Sequence, residues 1–425
     1  MIDIKLIREN KEIVKENIKK KFQDDKLPLV DEVYNLDIKY RESKTKGDNL
    51  RSEKNNLSAE IGTLMRNKQA LEANLIKPRI KEINKELISL ENLETTLEKE
   101  IKEKMMLIPQ IIHDTVPIGK DDTENVEIEK FGKPIVPKFE VPYHADILAR
   151  INGLDKEASG RTSGSGFYYL MGDAARIHSA MLTYARDFMI DKGFTYVIPP
   201  FMIRADVVTG VMSFAEMDAM MYKIEGEDLY LVGTSEHSMI GKFKDQILAE
   251  KDLPIALTSY SPCFRKEVGA HGIEERGIYR VHQFEKQEMI ILCKEEDHMD
   301  WYNKMLSYTV EFFRSLDIPV RTLECCSGDL ADLKVKSCDV EAWSPRQQKY
   351  FEVGSCSTLG DAQARRLGIR SKNDAKTKYV YTLNNTVLAT PRGLIAFLEN
   401  NLNEDGSINI PNALRPYIGG KDIVQ

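Results

Sequence analysis

Residues 30–108 restrict the possible folds of this chain more than any other segment. They contain few Gly or Pro residues, and apolar side chains recur there at alternating steps of three and four. A repeat of about 3.5 residues is typical of helices that pack lengthwise against each other in a coiled coil. The first seam comprises Val33, Leu36, Tyr40, Ser43, Gly47, Leu50, Lys54, Leu57, Ile61 and Leu64, and the second comprises Ile76, Ile80, Ile83, Leu87, Leu90, Glu94, Leu97, Ile101, Lys104 and Ile108.

The two seams are separated by residues 65–75, which break the register of the first seam. Pro78 suits the first turn of the second helix, where a missing N–H removes no hydrogen bond. Two helices of about 30 residues, at about 1.5 Å per residue, give an arm roughly 45 Å long. Because the connection between them is short, we predict an antiparallel helical hairpin.

The charge of this hairpin differs from that of the whole chain. Ten Lys and Arg residues and six Asp and Glu residues lie between Val33 and Arg79, although the chain carries a net charge of −7. A basic arm would suit a phosphate-rich partner such as a nucleic acid. Charged helix faces are often only solvated, so a dimerisation coiled coil or a spacer stays open as an alternative.

Composition limits the other classes of protein to which the chain could belong. No run of about 18 apolar residues occurs, so we expect no membrane span. The N-terminal MIDIKLIRENKEIVKEN alternates acids and bases and has no apolar signal core. The six cysteines include no CxxC pair, which favours reduced thiols and no zinc site. A cytoplasmic protein is expected.

The remainder of the chain mixes helical and strand patterns. Residues 109–142 are irregular and rich in Pro, which indicates a linker that becomes the edge of the next domain. Short strand-like segments follow, several of them joined by loops rather than helices. This arrangement favours an α+β fold with a mainly antiparallel sheet flanked by helices. No GxGxxG or GxxxxGK[ST] occurs between a strand and a helix, so a nucleotide site of the Rossmann or P-loop kind is not expected.

The segment CFRKEVGAHGIEERGIYRVHQFEKQEM places many charges beside isolated aromatic residues. Residues 262–267 and 279–290 are expected to be two strands joined by the Gly-bearing loop 269–277. Strand alternation puts Arg265 and Glu267 on one face of the first strand. On the second strand, the residues that share a face are Arg280, His282, Phe284, Lys286 and Glu288. These charges could simply pair on a solvated hairpin. Arginines, carboxylates and an aromatic ring on one face also suit ATP.

Three further segments carry candidate site residues. In LVGTSEHS, Thr234 and Glu236 could hold an ammonium group, or the threonine could cap a helix. In FEVGSCS, Glu352 and Ser355 offer hard oxygen ligands for Mg²⁺, although a lone glutamate on a strand is more often a surface residue. In TPRGLIAFLEN, Arg392 precedes an apolar helix whose N-terminus favours phosphate.

Taken together, these segments resemble the class II aminoacyl-tRNA synthetases, and among them the seryl-tRNA synthetase family. Residues 193–200 look like the first class II motif, FRKE with YRVHQFEKQEM looks like the second, and ATPRGLIAFLEN looks like the third. TSE, FEVGSCS, AQARR and the N-terminal hairpin resemble the seryl enzymes in particular. The resemblance spans essentially the whole chain. NNTV and TSEH, in place of the bacterial NGSG and TAEV, look closer to archaeal or eukaryotic relatives.

The resemblance implies an ATP site built from the second and third motifs. Arg265 would contact both the α-phosphate and the serine carboxylate, and would be catalytic together with Arg280 and Arg392. Glu267 would bind the adenine amino group, and Phe284 would stack on the adenine ring. Arg280 and Arg392 would hold the terminal phosphates.

The resemblance also implies a Mg²⁺ ion and a serine pocket. Glu352 and Ser355 would bind Mg²⁺ and belong to the ATP site. The residues implied for serine are Thr234, Glu236, Arg265, Glu288, Asn384 and Thr386. The reaction would form seryl-adenylate and pyrophosphate from L-serine and ATP, and would then transfer serine to the 3′ end of serine tRNA. A homodimer of the ordinary, zinc-free form is implied.

These implications divide the chain into three parts. Residues 1–108 would be a tRNA-binding domain with its arm at about 30–108, residues 109–142 the linker, and residues 143–425 the catalytic domain. Two alternatives remain: a related ligase that charges a carrier protein, and an inactive paralogue that serves as a binding or coiled-coil protein. The hairpin argues against the first, and the three motif arginines argue against the second.

Overall fold

The computed structural model describes residues 1–267, 277–373 and 376–425. These residues form two compact units. One unit contains residues 2–109, and the other contains residues 110–425 together with Met1. None of the helices in the described ranges is long and apolar enough to cross a membrane.

The helices are numbered along the chain. They are α1 Ile4–Lys20, α2 Leu27–Arg66, α3 Ala70–Met105, α4 His144–Arg150, α5 Lys156–Ser163, α6 Gly172–Asp191, α7 Ala205–Val211, α8 Phe214–Met220, α9 Ser235–Gly241, α10 His298–Ser315, α11 Ala362–Leu367 and α12 Arg392–Asn401.

The strands follow the same convention. They are β1 Val126–Phe131, β2 Leu154–Asp155, β3 Tyr169–Leu170, β4 Thr195–Val197, β5 Met202–Ile203, β6 Tyr230–Leu231, β7 Ile247–Ala249, β8 Ile255–Phe264, β9 Gln283–Cys293, β10 Val320–Glu324, β11 Lys336–Ser344, β12 Lys349–Thr358, β13 Arg370–Lys372, β14 Thr377–Tyr379, β15 Tyr381–Thr390, β16 Ile408–Asn409 and β17 Ile423–Val424.

The N-terminal unit is a helical hairpin preceded by α1. Helices α2 and α3 pack against each other through Leu50, Ile83 and Leu87, which belong to the predicted seams. The interruptions of the seams also face each other, because a Cβ on Gly47 would lie 3.4 Å from Glu94 Oε1. The hairpin prediction is therefore confirmed at the level of individual seam positions.

The helices of the hairpin are longer than predicted. Helix α2 has 40 residues and α3 has 36, rather than about 30 each. The expected place of Pro78 in the first turn is wrong, because α3 already begins at Ala70 and Pro78 lies inside it. The segment ALEANLIK before the proline consists mainly of good helix formers, so the helix extends through it at the cost of one backbone hydrogen bond.

The larger unit is built on an eight-stranded sheet. Its strand order is β1-β10-β11-β12-β15-β9-β8-β4, and every pair is antiparallel except β4 with β8. Residues of β9 alternate between two hydrophobic clusters. Met289 and Ile291 pack in the cluster that includes α6, α10 and α12, whereas Ile290 and Leu292 pack in the cluster that includes α9 and α11. The predicted α+β class with a mainly antiparallel sheet is confirmed.

The two strands of the charged segment are offset from their predicted positions. Strand β8 ends at Phe264 rather than at residue 267, and β9 begins at Gln283 rather than at residue 279. Before β9 two backbone N–H groups donate outside the sheet: Ile278 N–H to His144 Nε2, and His282 N–H to the Gly166 carbonyl. The His282 carbonyl still accepts from Arg265 N–H at 2.9 Å. Arg280 and His282 therefore precede β9 and do not follow its alternation. The predicted loop 269–277 lies outside the described residues except for its last residue.

Candidate active site

Two adjoining cavities open on the sheet where β8, β9, β12 and β15 meet. The first has a volume of about 140 Å³ and the second about 370 Å³. Four residues line both cavities: Arg265, Lys286, Glu352 and Thr386. All twelve predicted site residues line one cavity or the other. The structure thus brings together residues that are more than 150 positions apart in the sequence, from Thr234 to Arg392.

The first cavity combines guanidinium groups with aromatic rings. The Arg265 guanidinium lies 5.2 Å from the centre of the Phe284 ring, and that of Arg392 lies 4.8 Å from the Tyr279 ring. Such cation–π contacts restrict where each arginine can point. A flat heteroaromatic ligand with a polyanionic tail matches this combination of aromatic faces and fixed positive charge.

Carboxylates orient two of these arginines. Arg280 Nη1 lies 3.5 Å from Glu267 Oε2, and Arg392 Nη1 lies 2.7 Å from Glu352 Oε2. Arg265 instead donates from Nε to the Gly233 carbonyl at 3.2 Å. Of the three arginines predicted for the site, Arg280 and Arg392 line the first cavity, and Arg265 lines both.

The second cavity is lined by carboxylates on the side of α9 and β9. Thr234 is the N-cap of α9 and accepts a hydrogen bond from Glu236 N–H at 3.4 Å, so the helix-cap alternative describes its backbone correctly. Its hydroxyl also lies 3.5 Å from Glu288 Oε2, and all three residues line the cavity. Capping and ligand binding are therefore compatible roles for Thr234.

The charge state of Glu236 responds to its surroundings. Burial and the neighbouring Glu288 raise the pKa of the Glu236 carboxyl to about 7. Glu288 itself is buried and forms an ion pair with Lys286. A cationic ligand entering between these carboxylates would favour the ionised form of Glu236.

Strand β12 presents Glu352 and Ser355 to the same cavity, although three positions separate them. In a regular strand they would point to opposite faces. The register with β11 pairs Glu341 with Glu352 but Val340 with Gly354, which leaves Val353 without a partner. This β-bulge turns both side chains to one face.

The same side of β12 offers oxygen ligands for a cation. Ser355 is paired in the sheet with Asp339, whose pKa is raised to about 7 by burial and by the neighbouring Glu352. Glu352, Ser355 and Asp339 all line the second cavity. A carboxyl whose ionised form is disfavoured by another carboxylate fits a place for Mg²⁺, which binds hard oxygen ligands from few protein groups.

Strand β15 supplies the remaining predicted residues. Asn384 pairs with Ile290 and Thr386 pairs with Glu288 across the ladder, so both face the side on which Glu288 lies. Both line the second cavity, and Thr386 also reaches the first.

Sequence reasoning missed several residues of the site. Lys286 was placed on the correct strand face but was not assigned to the site, and Tyr279 and Asp339 were not assigned either. Strand alternation alone was sufficient to assign Lys286 to the site, because it shares a face with Phe284 and Glu288. Asp339 could be assigned only once β11 was known to pair with β12. His282, which was expected on the same face as Phe284, lines neither cavity; its Nδ1 lies 3.0 Å from the Arg265 carbonyl oxygen.

Within residues 1–267, 277–373 and 376–425, no group of three or more His, Cys, Asp or Glu side chains could hold a metal ion. All six cysteines are buried and unpaired.

Comparison with known proteins agrees with this geometry. The family model of the seryl-tRNA synthetase N-terminal domain matches residues 1–112, and that of the class II tRNA synthetase core domain (G, H, P, S and T) matches residues 221–401. The serine–tRNA ligase of Thermococcus sibiricus is 41% identical over 446 residues, which cover 100% of this chain and 98% of that protein.

The chain belongs to the seryl-tRNA synthetase family.

Solved structures of the family share the whole fold. The seryl-tRNA synthetase of Pyrococcus horikoshii complexed with ATP superposes with a TM-score of 0.94 at 38% identity, covering 100% of this chain and 99% of that one. The cytoplasmic serine–tRNA ligase of Naegleria fowleri in complex with AMP has a TM-score of 0.89 at 32% identity, with the same coverage. The resemblance to this family is therefore confirmed along the full length.

Proposed function

We propose that this chain is an ATP-dependent serine–tRNA ligase. Its substrates are L-serine, ATP and serine tRNA, and its products are seryl-tRNA, AMP and pyrophosphate. The observation that carries the proposal is that an arginine- and aromatic-lined cavity adjoins a carboxylate-lined one, with Arg265 on the wall of both. Membership of the family and the ATP and AMP complexes of its relatives support the same activity.

In this proposal the first cavity takes ATP. The adenine ring stacks on Phe284, and its amino group donates to Glu267. Arg280 and Arg392 bind the terminal phosphates with their forked donors, and this charge compensation favours the departure of pyrophosphate.

The second cavity takes serine. Its ammonium group lies between Thr234 and the carboxylates of Glu236 and Glu288, which also accept from the serine hydroxyl. Asn384 and Thr386 close the pocket. Because these buried polar groups would lose partners with alanine, the site selects for the hydroxyl.

Activation then follows from the position of Arg265 between the two cavities. A serine carboxylate oxygen attacks the α-phosphorus in line, the bond from that phosphorus to the pyrophosphate oxygen breaks, and seryl-adenylate forms. Arg265 brings the two negatively charged reactants together and compensates the charge that develops on the α-phosphate. In the second step a hydroxyl of the 3′ adenosine attacks the serine carbonyl carbon, and AMP leaves.

Glu352 and Ser355 are the proposed ligands of Mg²⁺, with Asp339 beside them. The ion would neutralise phosphate charge when it is bound with ATP. We propose that zinc is not required, since Thr234 and the long hairpin resemble the zinc-free form of the family.

The proposal also covers the domains of the chain, its oligomeric state and its location. We propose that residues 1–108 bind serine tRNA through the arm at about 30–108, that residues 109–142 are a linker, and that residues 143–425 are catalytic. A homodimer is proposed from the resemblance of residues 193–200 to the first class II motif. A cytoplasmic location is proposed as well, since it is consistent with a tRNA synthetase.

ATP–pyrophosphate exchange with each of the twenty amino acids tests the activity. Serine should give the fastest exchange, and alanine, which lacks the hydroxyl, should be slower by orders of magnitude. Exchange that is absent with serine, or faster with another amino acid, would refute the proposal.

A further inference from the structure

The AQARR segment resembles the seryl enzymes, yet none of its residues has a role in the proposed reaction. It forms helix α11, and Gln363 within it is only 1% exposed. Gln363 lines neither cavity. It lies directly behind the second cavity, because its Nε2 donates to Glu236 Oε1 at 2.7 Å.

Each side of the Gln363 amide has a partner. Besides Glu236, Nε2 donates to the Val211 carbonyl at 3.1 Å, while Oε1 accepts from the Thr382 hydroxyl at 2.7 Å. A flipped amide would turn its oxygen toward a carboxylate and a carbonyl oxygen, both of which are acceptors. The orientation with the NH₂ group facing Glu236 is therefore the one that the surroundings permit.

The second partner, Val211, is the last residue of α7. The neighbouring Arg366 supports the same place, since its Nη1 donates to the carbonyls of Thr209 at 3.0 Å and Met212 at 2.8 Å. Val211 and Met212 line the second cavity. Helix α11 thus holds two walls of this cavity at once, the carboxylate of α9 and the end of α7.

We propose that Gln363 is a positioning residue for amino-acid binding, which fixes the Glu236 carboxylate and the end of α7 around the ammonium group of the substrate. This inference rests on the proposed function of the second cavity. Gln363 acts through Glu236 and does not itself touch the amino acid. Its loss should weaken serine binding much more than it slows the chemical step.

The test compares Gln363→Met with Gln287→Met in ATP–pyrophosphate exchange. Methionine keeps the length of the side chain and removes its donors. Gln287 is an equally buried glutamine whose Nε2 donates to Thr258 and which lines neither cavity, so it controls for the loss of a buried amide. A hydrogen bond to a charged group is worth about ten- to hundredfold in binding. The KM for serine should rise by about that factor in Gln363→Met, with kcat and the KM for ATP within about threefold.

A second readout separates positioning from general damage. The groups that face Glu236 are Glu288 and Lys286 from β9 and Lys334 before β11, and the hydrogen bond from Gln363 favours its ionised form. In Gln363→Met, the midpoint of the pH dependence of the serine KM should therefore move to higher pH. Gln363→Glu, which keeps the acceptor for Thr382 but places a second carboxyl beside Glu236, should move it further.

The outcomes distinguish this inference from the proposed function. Wild-type exchange that does not depend on serine would overturn the proposed function itself. Serine-dependent exchange in the wild type, with an unchanged serine KM and pH midpoint in both folded Gln363 variants, would overturn the role of Gln363 alone. A comparable rise of the serine KM in Gln287→Met would show that any buried glutamine has this effect, and would also overturn it.

Discussion

Arg392 at the start of α12 and Glu352 on β12 form an ion pair of 2.7 Å at the wall of the first cavity. The Glu352 side chain is 44% exposed and can still reach other ligands, whereas Arg392 is 25% exposed and also lies against Tyr279. The arginine is thus held before any ligand arrives, and little reorganisation would be needed to bind phosphate.

Replacing Arg392 should therefore affect the rate of adenylate formation. We expect Arg392→Ala to lower kcat for ATP–pyrophosphate exchange by about 10²–10³-fold, since it removes a preorganised positive charge. Arg176→Ala, which removes an exposed arginine paired with Asp173 elsewhere in the unit, is the matched control and should leave exchange unchanged. An Arg392→Ala enzyme as fast as this control would contradict the phosphate-binding role.

Replacing Arg265 should impair exchange more than replacing Arg392, because Arg265 lines both cavities. Arg265→Ala should abolish measurable exchange, while sedimentation velocity should show the same oligomeric state as the wild type. Arg265→Lys retains the charge but loses the forked donors, and should remain at least about tenfold impaired. Retained exchange in Arg265→Ala would exclude it as the group that joins the two substrates.

The pKa of Glu236 predicts how serine binding depends on pH. With the pKa near 7, the carboxyl is largely neutral below that pH and cannot pair with the serine ammonium group. The KM for serine should be about tenfold higher at about pH 6 than at about pH 8, with little change in kcat. Glu236→Gln should raise the KM at high pH and flatten the profile; an unchanged profile in this variant would assign the titration to another group.

The hairpin should act only in the second half-reaction. Replacing residues 33–101 by a short flexible linker should leave serine-dependent exchange within about twofold and lower aminoacylation of serine tRNA by at least about 100-fold, because the basic arm would no longer contact the phosphate backbone. Normal charging of tRNA by the shortened protein would show that the hairpin is a spacer.

Removal of divalent cations tests the assignment of Glu352 and Ser355. Dialysis against a chelator should abolish exchange, and Mg²⁺ alone should restore it. Ser355→Ala should increase the Mg²⁺ concentration needed for half-maximal exchange without changing the KM for serine. Recovery that requires Zn²⁺ would contradict the proposed zinc-free chemistry.

Much of this architecture could be predicted because periodicity alone reports which side chains share a face. The apolar positions of the two seams were predicted, whereas the proximity of Gly47 and Glu94 across the hairpin is seen in the structure alone. Alternation along β9 grouped Phe284 with Glu288. The same rule predicted Arg280 wrongly as a strand residue, because hydrogen bonds to His144 and Gly166 take the backbone out of the sheet before β9. Those partners lie more than 100 residues away and leave no local pattern.

Other parts of the site depend on which strands become neighbours. Asp339 could not be connected with Ser355 until β11 and β12 were known to pair. The roles of Thr234 were also hard to separate in advance, since a cap and a ligand require the same hydroxyl at the same position. Gln363 belongs to the AQARR segment that resembles the family, but its three partners come from α7, α9 and β15 and could not be read from that segment.

The bulge at Val353 has a consequence for how this segment can vary. Val353 is 2% exposed and its side chain can be exchanged for another of similar volume at little cost. Deleting the residue would restore regular pairing and leave Glu352 and Ser355 two positions apart, so both side chains would still lie on one face of the sheet. The bulge therefore accommodates one additional residue in β12 while Glu352 and Ser355 keep a common face.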